Sequence, residues 1–251
     1  GPERSLDPPY MAFLGGTETY GRYIQTPFPA LVEMELGINC VNLGVPNAGV
    51  DVLLNDGFLS DAANGAVVTV IQIVGAHNIS NRFYSVHPRR NDRFVSASTM
   101  LKAVYPEVDF AEFHFTKHML HHLHAVSADR FSVVRRELHV AWLARMKLLL
   151  NRVTSKVVLV WLADHAPLRE ETANLEAVPS GSPIFVTREL LDELLPFADD
   201  LVEVVATPEA MSGGTEGMVF NQMEALAAAQ MLGPCAHGEA AVKIGGALRL
   251  F

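Results

Sequence analysis

The feature that most constrains the fold is the apolar run at residues 67–74, Val-Val-Thr-Val-Ile-Gln-Ile-Val, which ends in Gly75. A run of this kind, rich in β-branched residues, is typical of a parallel strand covered on both faces. We therefore expect it to form the central strand of a sheet. It is the densest apolar run in the chain, yet its eight residues are far fewer than the roughly 18 that cross a membrane. We predict no membrane span.

Other short apolar runs alternate with stretches of helical periodicity. The predicted strands lie at residues 11–14, 38–45, 67–74, 157–162 and 201–205, with a further short apolar run at 182–186. The clearest helical pattern covers residues 131–150, where apolar side chains recur every three or four positions. Strands alternating with helices predict an α/β three-layer sandwich, in which a parallel sheet lies between two layers of helices. Ligands of such folds bind beyond the carboxyl ends of the strands.

Composition favours a globular domain and excludes several functional classes. The 251 residues are 49% hydrophobic and 19% charged, which suits a chain with a buried core and not a disordered one. The net charge of −9 repels polyanions, so we expect no nucleic-acid partner. Cys40 and Cys235 are too few for a disulfide framework, and no signal-like segment opens the chain. We therefore expect a cytoplasmic protein.

The chain is expected to contain one domain, at residues 10–251. Residues 1–9 are interpreted as an N-terminal extension that begins with a cloning remnant, Gly1-Pro2. The polar segment 170–182 is about as long as an ordinary functional loop, so we do not interpret it as a domain linker. The composition gives no indication of the oligomeric state.

The loop after the first strand, Gly15–Gly21, is the first candidate for chemistry. Its sequence, Gly-Gly-Thr-Glu-Thr-Tyr-Gly, allows a sharp turn followed by a hydroxyl residue at the start of a helix. Thr17 could be an exposed nucleophile there, or it could simply cap the helix. Because no lysine follows the threonines, the loop is not a P-loop.

Three more strand-end positions could complete a site. A glycine of segment 42–49, Gly49 in preference to Gly44, could offer a backbone N–H to a ligand. Asn78 follows the presumed central strand and could donate to a developing oxyanion. His237 lies between two Ala-rich helix candidates, 224–231 and 239–250, and just before the last of them. A loop after the last strand should meet the loop after the first strand.

Together these segments resemble the SGNH (GDSL-like) hydrolase and acyltransferase superfamily. The resemblance implies a five-stranded parallel sheet of flavodoxin-like layout. It implies that Thr17, preceded by Gly16, is the nucleophile and that His237 is the base. It also implies that Gly49 and Asn78 are the oxyanion donors. The strings Gly-Gly-Thr-Glu-Thr-Tyr-Gly and Asn-Arg-Phe-Tyr-Ser-Val-His-Pro-Arg-Arg-Asn-Asp-Arg-Phe look like those of a bacterial SGNH-like family, which implies no particular reaction.

The sequence departs from the superfamily pattern at three positions. Thr17 replaces the serine nucleophile, His77 stands where the pattern has the asparagine, and Pro234 stands where an aspartate would orient the base. An internal threonine can act as a nucleophile, although its methyl group restricts χ1. If the scheme holds, Thr17 Oγ1 and His237 should lie within one hydrogen bond or one bridging water of each other.

A cluster of basic residues follows the loop of the central strand. Its members within twelve residues are Arg82, His87, Arg89, Arg90 and Arg93. Arginines bind carboxylate, sulfate or phosphate through paired donors, so the segment could hold an anionic substrate or a nucleotide. Alternatively, these arginines could pair with acidic residues nearby in the sequence, at Asp92, Glu107 and Asp109.

Five histidines between residues 114 and 124 raise the question of a metal site. His114, His118 and His121 would share one face of a helix. Imidazoles at this spacing can share zinc, but the residues around them do not complete a zinc-hydrolase pattern, so we assign no metal. His118 is instead a candidate for the substrate cleft.

These residues support one leading interpretation and two alternatives. The leading one is a hydrolase or transferase acting at an ester or acyl centre of an anionic small molecule, glycan or lipid. In it Gly16, Glu18, Arg82, Arg89, Arg90, Arg93 and His118 bind the substrate. No cofactor is required, although a nucleotide or acyl donor is compatible with it. The first alternative is non-covalent binding of a phosphate- or sulfate-bearing ligand or nucleotide donor by the glycine-rich loop and the arginines. The second is a binding protein without catalysis.

Overall fold

The computed structural model describes residues 4–7, 9–169 and 182–251. Its strands are β1 (Tyr10–Gly15), β2 (Asn39–Gly44), β3 (Val68–Gln72), β4 (Tyr84–His87), β5 (Arg90–Ala97), β6 (Lys156–Ala163) and β7 (Asp200–Val205). Five of them form a parallel sheet in the order β2-β1-β3-β6-β7, with β3 at the centre. The predicted fold class and the predicted central strand are confirmed.

Helices connect the strands and cover both faces of the sheet. They are α1 (Thr17–Tyr20), α2 (Phe28–Leu36), α3 (Val50–Asn55), α4 (Gly57–Gly65), α5 (Thr99–Val104), α6 (Thr116–Val126), α7 (Ala128–Arg152), α8 (Arg188–Asp192), α9 (Pro208–Ser212), α10 (Ala225–Ala228) and α11 (Pro234–Leu248). Short 3-10 turns lie at Phe110–Glu112, Leu195–Phe197 and Gln222–Glu224. Among the described residues, none of these helices is both long and apolar enough to cross a membrane.

Alternate residues of β1 face two separate apolar cores. Ala12 and Leu14 pack in the core beneath α3, α4 and α7, whereas Met11 and Phe13 pack in the core beneath α2 and α11. Because both faces of β1 are covered, the strand has no polar alternation, which is why its sequence reads as a continuous apolar run.

The longest helix, α7, confirms the periodic pattern at residues 131–150. Ser127 caps its start, since its hydroxyl accepts a hydrogen bond from the Arg130 N–H. Trp142 is fully buried against the sheet and donates its indole N–H to the Val74 carbonyl over 2.9 Å. This bond satisfies a polar group that would otherwise be stranded in the core.

Residues 182–186 and the start of the last helix differ from the sequence prediction. Residues 182–186 form a turn and not a strand, in which the Ile184 carbonyl accepts a hydrogen bond from the Ala76 N–H. The last helix begins at Pro234, five residues before the predicted start at 239, because proline is well suited to the first turn of a helix. His237 therefore lies inside α11 and not in a loop before it.

The antiparallel hairpin of β4 and β5 has no counterpart among the predicted strands. It follows the loop of β3 and carries most of the basic cluster. The predicted functional loop at 170–182 lies, except for Ser182, outside the described residues. The same holds for residues 1–3 and 8 of the predicted N-terminal extension.

Candidate functional site

A cavity of about 580 Å³ lies at the carboxyl ends of β1, β3 and β6. Its lining includes polar side chains from strand ends, loops and the first turns of helices: Thr17, Glu18, Asn47, Gln72, His77, Asn78, Lys117 and Asp164. Its apolar lining includes Val74, Leu162, Ile184, Met211, Met231 and Leu232. The position is the one that parallel α/β sheets use for ligands.

Thr17 is the first residue of α1 and lines this cavity, although only 8% of it is exposed. Its Oγ1 accepts a hydrogen bond from the Asn47 N–H over 3.0 Å and donates to Asn47 Oδ1 over 3.4 Å. The alternative interpretation, in which the Thr17 hydroxyl caps its own helix, is therefore wrong. It bridges instead to the loop after β2.

Gln72, at the end of β3, holds the turn that presents Thr17. Its Oε1 accepts hydrogen bonds from the Gly16 N–H, the Thr19 N–H and the Thr19 hydroxyl, at 3.0, 3.1 and 2.6 Å. Its Nε2 donates to Glu18 Oε2 over 2.9 Å. Since three donors surround one atom of the carboxamide, that atom must be the oxygen, and the nitrogen must face Glu18. This buried amide therefore fixes both the turn and the Glu18 carboxylate.

Asn47 and Asn78 join the loops after β2 and β3. Asn78 Nδ2 donates to the Asn47 carbonyl over 3.2 Å, and Asn78 Oδ1 accepts from the Thr116 hydroxyl over 2.6 Å. Asn47 has a left-handed backbone conformation, with φ of 56°, which is uncommon for any residue except glycine and is better tolerated by asparagine. These bonds orient the Asn78 carboxamide at the cavity wall.

His77 is the imidazole that lines the cavity. Burial lowers the pKa of His77 to about 3, and the nearby positive charge of Lys117 contributes in the same direction. The ring is therefore neutral at pH 7. Its Nδ1 has no hydrogen-bond partner among the described residues.

Asp164 lines the cavity from the end of β6. Its Oδ1 lies 2.6 Å from Nδ1 of His165, and the Trp161 indole N–H donates to the His165 carbonyl over 2.8 Å. Glu18, Lys117 and Asp164 thus bring two carboxylates and one ammonium group to the cavity wall.

The structure corrects the role predicted for His237. The side chain is 2% exposed and does not line the cavity, and its Nδ1 accepts a hydrogen bond from the Phe28 N–H over 3.2 Å. Its ring lies 5.9 Å from the Phe28 ring, in the core beneath α2 and α11, and burial lowers its pKa to about 4. His237 is a neutral packing residue in this structure, and its location does not support a base role.

The position of Gly49 also differs from its predicted role. Its N–H already donates to Asn91 Oδ1 over 3.1 Å, so this donor is not available to an oxyanion. A Cβ at this position would lie 1.6 Å from the Asn78 carbonyl oxygen. Glycine is therefore required here for the close approach of two loops.

The predicted substrate-binding arginines do not line the cavity. Arg82 forms an ion pair with the buried carboxylate of Glu137 on α7, and Arg93 lies 4.2 Å over the Phe115 ring. Arg89, in the turn between β4 and β5, and Arg90, the first residue of β5, are both exposed. Arg82 does pair with an acidic residue of the chain, as the alternative interpretation predicted. The partner is Glu137, however, and not one of the acidic residues nearby in the sequence.

His118 is exposed on α6, where its ring packs 5.1 Å from the Phe113 ring, and it does not line the cavity. Because α6 begins at Thr116, His114 precedes the helix and does not share its face. Within the part of the chain that the structure describes, no group of three metal-binding side chains is positioned to hold a metal ion.

A protein-family model described as a domain of unknown function, DUF6473, matches residues 1–250. The chain belongs to this family. No curated protein matches the sequence. Among solved structures, the chain is similar to the lipase Lip_vut3 from a goat rumen metagenome, with 9% identity and a TM-score of 0.46 over 96% of this chain and 97% of that one. These matches do not confirm the SGNH resemblance.

The polar cavity residues that were not predicted as site residues include Asn47, Gln72, Lys117 and Asp164. Gln72 carried a usable signal, because a glutamine near the end of a buried apolar strand must find hydrogen-bond partners. Asp164 carried a weaker one, since it lies two residues after a predicted strand. Nothing in the local sequence distinguishes Lys117 from other surface lysines.

Proposed function

We propose that this cavity is the active site of a hydrolase or transferase acting at an ester or acyl centre, with Thr17 as the nucleophile. The observation that carries the proposal is the chain of hydrogen bonds from Thr17 through Asn47 to Asn78. These side chains come from the loops after β1, β2 and β3 and line one cavity. A hydroxyl and a carboxamide oriented together are what acyl transfer needs for attack and for stabilising the oxyanion.

Asn78 is suited to the oxyanion role. Its amide nitrogen has two N–H donors, and the hydrogen bond to the Asn47 carbonyl uses one of them. The Thr116 hydroxyl holds the oxygen end, so the nitrogen keeps its orientation as charge develops on the substrate. Donors fixed in advance stabilise a transition state without paying for reorientation during the reaction.

The charges on the cavity wall do not favour an anionic substrate. Glu18 and Asp164 contribute two negative charges, against one positive charge from Lys117. The arginine segment lies outside the lining. We therefore propose a small substrate with a neutral acyl or ester group and an apolar part that contacts Met211, Met231 and Leu232.

Non-covalent binding is the second candidate. It is favoured by the burial of His237, which removes the predicted base from the site, and by the occupied N–H of Gly49. In this case the same cavity would hold a ligand without forming a bond to Thr17.

Ester turnover by purified protein tests the first proposal. The probes are the p-nitrophenyl esters of acetate and butyrate, with wild type and the Thr17→Ala and Thr17→Ser variants. We expect Thr17→Ala to lose at least about 100-fold in kcat/KM, because the nucleophile is removed, and Thr17→Ser to keep activity. Thr99→Ala is the matched control, since Thr99 is likewise the first residue of a helix but is exposed and outside the cavity.

Absence of turnover, or equal turnover in wild type and Thr17→Ala, would contradict the covalent proposal. The non-covalent candidate instead predicts a rise in melting temperature with a ligand that Thr17→Ala does not diminish. A screen of nucleotides and of phosphorylated and sulfated sugars by melting shift measures this directly.

A further inference from the structure

We propose that Glu18 is the general base of this cavity and takes the place that the superfamily resemblance gave to His237. This inference rests on the proposed function. It is carried by the hydrogen bond that holds the Glu18 carboxylate to Gln72, and by the place of Glu18 next to Thr17 in α1 at the same cavity wall.

The contacts of Gln72 show that the carboxylate is held in a defined position. Gln72 is 3% exposed, and its carboxamide oxygen is fixed by three donors from the turn that contains Thr17. The nitrogen therefore has one orientation, and it binds Oε2 of Glu18. One carboxylate oxygen is thus anchored to the end of the central strand, which leaves Oε1 for a proton.

Asp164 is less well placed to serve Thr17. β1 pairs with β3 and β3 pairs with β6, so the loops after β1 and β6 are separated by two inter-strand spacings. At about 4.8 Å each, this places the two strands roughly 10 Å apart, whereas Glu18 lies in the same short helix as Thr17. Asp164 is also engaged with His165.

His77 is a poorer proton acceptor than Glu18. Its pKa is lowered to about 3 by burial and by the nearby charge of Lys117, and its Nδ1 is buried away from the solvent. Protonation of this ring during attack would place a positive charge where the surroundings already disfavour one.

The chemical step balances with these groups alone. The Thr17 hydroxyl turns from Asn47 Oδ1 to Glu18 Oε1. As Oγ1 then forms a bond to the acyl carbon, its proton moves to Glu18 Oε1, and the carbonyl electron pair moves onto the oxygen held by Asn78. Collapse of this intermediate breaks the bond to the leaving oxygen, which takes the proton from Glu18. Water or an acceptor hydroxyl then attacks the acyl carbon and gives its proton to Glu18. The bond to Thr17 Oγ1 breaks, and Oγ1 takes the proton back from Glu18.

The test compares variants of the full chain with p-nitrophenyl acetate as the probe. Glu18→Gln keeps an oxygen for Gln72 Nε2 but cannot accept a proton, so we expect kcat to fall at least about 100-fold with little change in KM. In wild type, kcat/KM should fall on the acidic side as one carboxylate is protonated, and this limb should be absent from the residual rate of Glu18→Gln. Glu209→Gln is the matched control, because Glu209 is also in the first turn of a short helix but does not line the cavity.

Chemical rescue provides a second measurement. In Glu18→Ala, added formate should restore part of the turnover, whereas formate should not restore Thr17→Ala. Melting curves for every variant show whether the protein is folded. Wild-type turnover in Thr17→Ala overturns the proposed function itself. Loss of turnover in Thr17→Ala together with a wild-type pH profile in Glu18→Gln overturns the Glu18 assignment alone. So does a 100-fold loss in Asp164→Asn with none in Glu18→Gln.

Discussion

The loops after β1, β2 and β3 and the first turn of α11 place polar side chains in very different surroundings. Around the three loops, buried polar groups find polar partners: Gln72 accepts from the Thr19 hydroxyl, and Asn78 accepts from the Thr116 hydroxyl. In the first turn of α11, His237 has one backbone donor and is otherwise packed among apolar residues. The comparison shows that proximity to a strand end in the sequence does not by itself place a side chain in the cavity. Several of the polar side chains that do line the cavity are held there by hydrogen bonds to residues of other loops or strand ends.

The largest loss of stability is expected when the Gln72 carboxamide is removed from the network around the three loops. Gln72→Leu leaves the Gly16 N–H, the Thr19 N–H and the Thr19 hydroxyl buried without their acceptor. At about 1–3 kcal/mol for each stranded group, and with partial relaxation, we expect the free energy of unfolding to fall by roughly 3–5 kcal/mol. Urea denaturation measures this.

The exposed Gln222 provides the control for that experiment. Gln222→Leu makes the same chemical change on the surface and should alter the free energy of unfolding by less than about 0.5 kcal/mol. Equal losses in the two variants would show that the Gln72 network contributes nothing specific.

The pH dependence of stability tests the second region. Because the folded pKa of His237, about 4, lies below the ordinary value of 6.5, the unfolded state binds the proton more readily. Its contribution to stability is therefore complete above pH 6.5 and is lost as the pH falls through 4. Between pH 8 and pH 4.5 this loss amounts to roughly 2–3 kcal/mol.

In His237→Gln this part of the acid destabilisation should be absent, whereas it should persist in the exposed control His114→Gln. Urea denaturation at the two pH values gives both numbers. Since His77 also has a lowered pKa, some acid sensitivity should remain in every variant that keeps it. An identical pH dependence in wild type and His237→Gln would show that His237 is not buried in its neutral form.

A smaller effect is expected where the network meets α6. Thr116→Val removes the hydroxyl that holds Asn78 Oδ1 but keeps the shape of the side chain. We expect a loss of about 1 kcal/mol in the free energy of unfolding, and a lower kcat for ester turnover because the carboxamide is no longer fixed. Thr154→Val, at an exposed site outside the cavity lining, is the control. Unchanged kcat in Thr116→Val would separate Asn78 from the chemistry.

The sequence predicted the sheet well because each parallel strand is buried on both faces and is therefore marked by its own residues. The run at 67–74 is the densest apolar run in the chain, and this density indicates a strand at the centre of the sheet. The β4–β5 hairpin has no such mark, since its outer face is exposed and its residues are mixed, as in Arg90–Ala97.

The site was only partly predictable, for two physical reasons. Gln72 holds the turn that contains Thr17 and binds the Glu18 carboxylate, yet it lies more than fifty residues away in the sequence, and local patterns do not report such partners. The placement of His237 depends on where α11 begins. The helix begins at Pro234, more than one helical turn before the predicted start at residue 239. A shift of this size carries a side chain from the end of a helix into its packed face.

The smallest effect is predicted for the exposed end of the hairpin, where Arg89 and Arg90 lie outside the cavity lining. The double variant Arg89→Gln, Arg90→Gln should change the free energy of unfolding by less than about 0.5 kcal/mol, because neither side chain is buried. It should also leave the KM of neutral and of carboxylate-bearing p-nitrophenyl esters unchanged. A rise in KM confined to the carboxylate-bearing ester would mean that these arginines reach the substrate, and that the hairpin belongs to the polar region around β1–β3 and not to the surface. Steady-state kinetics with the two esters decides between these outcomes, since charge is the property in which the probes are chosen to differ.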